Sequence, residues 1–138
     1  MNNALVVFPW GGYVYSEVPK DFDLQWACDL IGCDLVEIVR PERFAKGIVM
    51  LVDEEGMLKD SPKLNPFGCW AYETEVNGGL IVGTVIVMGE KFGSDGPTLC
   101  GLSKKVLNEV RDSCIKAINV YHWEDEFKAK LTLMGILK

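Results

Sequence analysis

Apolar residues change their spacing several times along this chain, and each change marks an element. Ala4 to Phe8 is a short branched run that reads as a strand, and Tyr13 to Val18 is a second, rich in aromatic and β-branched residues. Pro9-Trp10-Gly11-Gly12 between them predicts a tight turn joining the two strands. Beyond Pro19 the period lengthens: Leu24, Ala27, Cys28 and Ile31 recur at helical spacing, with Asp21 to Asp23 as candidate caps and Gly32 as the stop. Leu35, Ile38 and Val39 form the next expected strand, ended by Pro41. A polar connection, Arg40 to Gly47, leads into a strand over Ile48 to Val52.

Asp53-Glu54-Glu55-Gly56 predicts a turn with charged, solvated ends. Asn65-Pro66 predicts a capped short helix with proline at its first position, carrying Phe67, Trp70 and Ala71 towards the core. After the turn signal Asn77-Gly78-Gly79, the run Leu80 to Met88 is nearly all apolar and predicts a central strand covered on both faces. Gly89 to Gly101, with its glycines and Pro97, predicts a mobile loop. Ser103 is the candidate cap of the longest helix, whose buried stripe is Val106, Leu107, Val110, Cys114, Ala117 and Ile118. Tyr121-His122-Trp123 then predicts a helix exit, and the alternation Phe127, Ala129, Leu131, Leu133 an edge strand. The sum is an α/β (α+β) domain: a mixed, mostly antiparallel sheet of about five or six strands with two or three helices packed on it.

Length and composition agree with a single globular domain over residues 1–138. At 49% hydrophobic and 25% charged the chain has enough apolar surface to fold without staples. No stretch of about 18 apolar residues predicts a transmembrane helix, and the N-terminus lacks the basic and apolar regions of a signal peptide. The expected location is therefore the cytoplasm. Five cysteines, an odd number without paired two-residue gaps, fit free and mostly buried thiols better than a disulfide framework or a zinc site. A net charge of −6 argues against a general nucleic-acid binder and against an anionic membrane surface.

Candidate chemistry is sparse. His122 is the only histidine, so neither a histidine-rich metal site nor an obvious general base is available. Gly93-Ser94-Asp95-Gly96 lacks the Gly-Lys-Ser/Thr of a phosphate loop, and no Gly-x-Ser-x-Gly occurs. No catalytic residue, metal ligand or cofactor is assigned. What does recur is a set of basic residues with aromatic neighbours. Trp10, Tyr13, Tyr15, Arg40, Arg43 and Lys46 are the candidate ligand-binding residues, aromatic faces stacking on a base and arginines pairing phosphates. The same residues would equally serve as a solvated face and core aromatics.

Several segments carry a resemblance. Gly12-Tyr13-Val14-Tyr15, Val52-Asp53-Glu54-Glu55-Gly56-Met57-Leu58, Pro62 with Leu64-Asn65, and Ile81-Val82-Gly83-Thr84-Val85 follow one another in an order similar to a small, uncharacterised domain-of-unknown-function family. That family is frequent in bacteriophages and mobile elements. The resemblance implies a phage or plasmid setting and no established activity, and it covers about the first two-thirds of the chain. Small phage proteins commonly bind and block host defence components, which is an analogy and not a property of these residues. The leading expectation is a non-catalytic protein that sequesters a small anionic, nucleotide-derived ligand or blocks a host protein. The alternatives are a homo-oligomeric assembly module, suggested by strands at both ends, and a nucleotide-acting enzyme.

Overall fold

The computed structural model describes residues 2–59 and 62–120. Six strands share one sheet: β1 (Asn3–Val7), β2 (Tyr13–Glu17), β3 (Val36–Val39), β4 (Ile48–Asp53), β5 (Val85–Gly93) and β6 (Gly96–Cys100). Their order is β2-β1-β5-β4-β3, with β6 pairing the outer half of β5. All of these pairings are antiparallel, so the architecture is α+β as predicted. Among the described residues four α-helices accompany the sheet: α1 (Leu24–Ile31), α2 (Pro66–Ala71), the single turn α3 (Thr74–Asn77) and α4 (Lys104–Val120).

Alternation along the strands divides the core into two layers. Leu5, Val7, Met50, Val52, Val85 and Val87 face one way and pack with Phe67, Leu107 and Cys114 of α2 and α4. Ala4, Val6, Leu51, Ile86 and Met88 face the other way and pack with Ala27 and Trp26 of α1. The central strand β5 is buried on both faces from Val85 to Glu90, which explains its nearly continuous apolar run.

Local signals fixed the helix ends. Asp23 accepts from the Gln25 and Trp26 amides, and left-handed Gly32 closes α1. Asn65 caps α2, with Pro66 in its first turn. Ser103 Oγ accepts from the Val106 amide at 3.3 Å at the start of α4.

Two expectations need correction. The strand predicted over Leu80 to Met88 begins only at Val85, because Gly83 adopts φ +78° and breaks the extended path; upstream, Val82 makes one isolated bridge with Leu64. The segment Gly89 to Gly101 is not a loop. β5 continues through it to Gly93 and returns as β6 across Ser94-Asp95, with Gly93 opposite Gly96. Its glycines serve a hairpin and close backbone packing, which composition does not distinguish from looseness. The expected helix exit at Tyr121-His122-Trp123 and the strand near Glu126 to Leu133 lie outside the described residues.

Candidate functional site

The β1–β2 turn, the start of α2 and α4 border a cavity of about 410 Å³. Its walls come from four places: Val7, Phe8, Pro9, Trp10 and Gly11 at the turn, Tyr13 on β2, Asn65 to Phe67 at the start of α2, and Arg111 with Ile115 on α4.

Each wall has a local cause. The turn is closed by Phe8 N–H donating to the Gly12 carbonyl at 2.8 Å and Gly11 N–H to the Phe8 carbonyl at 3.0 Å. This holds Trp10 at the tip, 80% exposed, with its indole stacked parallel on Phe8 at 5.6 Å between centroids. The indole lies across Gly12, where a side-chain carbon would sit 1.8 Å from the ring; only a bare α-carbon permits that approach. Asn65, fully buried, forms the floor. Its amide donates to the Val7 carbonyl at 3.1 Å and the Gly83 carbonyl at 2.9 Å, while its oxygen accepts from the Gly68 N–H at 3.0 Å.

The charged wall is Arg111. Its Nη1 donates to Tyr13 Oη at 2.7 Å and Tyr15 Oη at 3.0 Å, and its Cζ lies 4.7 Å from the Tyr13 ring centre. Nε and Nη2 donate to Asp112 Oδ1 at 3.0 and 2.8 Å. Tyr15 in turn donates to Asn108 Oδ1. The hydrogen bonds that Arg111 donates to Asp112 raise the guanidinium pKa further, so the cation is permanent. Burial raises the Tyr15 pKa, opposed by Arg111, so the phenol stays neutral. The guanidinium is thus fixed in place by the protein's own hydrogen bonds.

The six sequence candidates separate here. Trp10 and Tyr13 line the cavity, and Tyr15 stands behind them through Arg111. Arg40 does not join them: it makes a two-pronged ion pair with Glu90 on β5, at 2.8 and 2.7 Å. Arg43 lies in a second cavity of about 380 Å³, beside Phe44, Ile48 and Val110, where it donates to the Trp70 carbonyl at 2.6 Å and stacks over the Trp70 ring. Lys46 is exposed and lines neither cavity. Arg111 was missed. The signal for it was present, since Lys104, Asn108, Arg111 and Ile115 follow one another at four, three and four residues and share a face of α4.

Among the described residues no cluster of three or more His, Cys, Asp or Glu side chains is placed to hold a metal ion, and no helix is long and apolar enough to cross a membrane. His122 lies outside the described residues. A family model described as "Domain of unknown function (DUF3846)" matches residues 2–114. The chain belongs to this family. The DUF3846 match begins just before β1 and ends within α4, so it takes in every described strand and every residue lining this cavity except Ile115. Searches of curated proteins and of solved structures give no match to this DUF3846 chain.

Proposed function

We propose that this protein is a non-catalytic binding protein that sequesters a small, planar, anionic ligand of nucleotide type in the cavity between the β1–β2 turn and α4. The observation that carries the reading is that an 80% exposed tryptophan and a preorganised arginine line one cavity. A tryptophan this exposed loses apolar contact that most folds retain, and a recognition surface is a common reason for it. Its ring offers a stacking face, and stacking on a base contributes about 1–3 kcal/mol. Arg111 offers a charge for phosphate. The volume of about 410 Å³ falls in the range of small-molecule sites.

Thermal melting against nucleoside mono-, di- and triphosphates and cyclic dinucleotides tests this. A ligand at a hundredfold its dissociation constant adds about 2.7 kcal/mol of stability. Trp10→Ala and Arg111→Ala should each abolish the shift, whereas Arg40→Ala should retain it. If no compound moves the transition, or if Arg40→Ala weakens binding as much as Arg111→Ala, the reading fails. Recovery of intact ligand from the denatured complex separates sequestration from turnover.

A second reading, self-association through a sheet edge, is favoured by β2, a terminal strand with Tyr13 and Val14 both exposed. Light scattering across a concentration series decides it, and a monomer at high concentration removes it.

A further inference from the structure

At the C-terminal end of α1 the backbone turns two cysteines onto one another. Left-handed Gly32 closes the helix, and the Gly32 and Cys33 N–H groups both donate to the Cys28 carbonyl, at 2.7 and 3.0 Å. A hydrogen bond of that length limits the Cα separation of Cys28 and Cys33 to about 7 Å, and disulfides span roughly 4.4–6.8 Å. The two thiols are near enough that the Cys28 side chain helps to push the Cys33 pKa up. Cys28 also reaches the Asp34 carbonyl at 3.6 Å.

The two sulfurs differ in access. Cys28 is buried, whereas Cys33 is half-buried on the wall of an open pocket of about 290 Å³. Lys59 stands in the same pocket, donating to the Gly32 carbonyl at 2.9 Å and to Asp53 at 2.8 Å. The arrangement therefore has an outer thiol that a small reagent can reach and an inner thiol whose backbone is hydrogen-bonded to that of the outer one. The other cysteines lack such a partner arrangement in the sequence: Cys69, Cys100 and Cys114 are each more than ten residues from the next cysteine.

We propose that Cys28 and Cys33 are a thiol-oxidation site that closes to a reversible intramolecular disulfide on reaction with a low-molecular-weight disulfide such as oxidised glutathione. The Cys33 thiolate attacks one glutathione sulfur, forming a mixed disulfide and expelling the first glutathione thiolate. The Cys28 thiolate then attacks Cys33 Sγ, forming the protein disulfide and expelling the second. Both protein thiols are oxidised, one glutathione disulfide is reduced to two thiols, and the two protons the protein loses are taken up by the leaving thiolates. Burial and the adjacent Cys28 push the Cys33 thiol up to about 12, so the rate is set by a small thiolate population. It should rise about tenfold per pH unit below that value.

The test is quantitative alkylation of the full chain in denaturant, before and after incubation with oxidised glutathione, followed by peptide mapping. No Lys or Arg separates Cys28 from Cys33, so both fall in one tryptic peptide. The expected result is a fall from five free thiols to three, a loss of two hydrogens from that peptide, and recovery of five on reduction with dithiothreitol. Cys33→Ser should keep all four of its thiols in that peptide map, with circular dichroism confirming that it is folded. Five free thiols in the wild type at alkaline pH, or a mixed disulfide persisting on Cys33 without Cys28 closing on it, would overturn the proposal.

Discussion

Asn65 offers the sharpest test of how this fold is held together. Its side chain ties three segments at once: the end of β1 through the Val7 carbonyl, the break before β5 through the Gly83 carbonyl, and the first turn of α2 through the Gly68 N–H. None of it reaches solvent. Asn65→Ala removes the helix cap on the Gly68 N–H, which costs about 1 kcal/mol, and leaves two buried carbonyls short of a partner. Each such group costs roughly 1–3 kcal/mol, less for a carbonyl that keeps another bond. The expected loss is about 3–5 kcal/mol, a large share of the roughly 5–15 kcal/mol that stabilises a domain. It should lower the melting temperature by about 10–20 °C.

Asn65→Asp separates the hydrogen bonds from the packing. The shape and the cap acceptor remain, but a carboxylate faces two carbonyl oxygens with no proton to donate. Burial and those dipoles raise its folded-state pKa above the unfolded value near 3.9. Its protonated form restores one donor. The stabilising contribution is therefore complete below the unfolded pKa and lost as pH rises through the folded one. Urea unfolding of wild type and both variants, between about pH 7 and pH 4, reads this out. The gap between Asn65→Asp and wild type should narrow on acidification, while the gap for Asn65→Ala should not. An Asp variant as stable as wild type at neutral pH, or a gap that ignores pH, would refute the reasoning.

Two further outcomes follow from the same accounting. The two-pronged hydrogen bond from Arg40 holds the Glu90 carboxyl below its ordinary range. Its contribution is present above the unfolded value near 4.5 and is lost as pH falls through the lower folded value; the urea midpoint difference between wild type and Glu90→Gln should shrink below about pH 4.5. At Gly83, φ is +78° and nothing lies within 4 Å of an added side-chain carbon. Gly83→Ala should therefore cost only backbone strain, about 1 kcal/mol, measured as a small fall in melting temperature with unchanged circular dichroism. A loss of several kcal/mol would mean the turn is held by more than its dihedral angle.

Several parts of this protein follow from sequence alone because their causes are local. Asp23 and Gly32 bound α1, Asn65-Pro66 starts α2, and Gly-Gly after Trp10 turns β1 into β2, since caps and turns depend on residues within a few positions of one another. The aromatic half of the candidate site was legible for the same reason: Trp10 sits on that turn and Tyr13 opens the strand that follows it. Its cation was not. Arg40, Arg43 and Lys46 do not supply it, since Arg40 is tied to Glu90 and Arg43 to Trp70, and Lys46 lines neither cavity. The guanidinium that meets Tyr13 comes from 98 positions away. Tertiary structure alone also decided that the glycine-rich stretch after Gly89 is a hairpin, because its base is held by β4 pairing with Gly89, by Leu102 against Gly89 and by the Asn2–Asn3 backbone against Gly101. Periodicity records which face of an element is buried, but not which distant element will cover it.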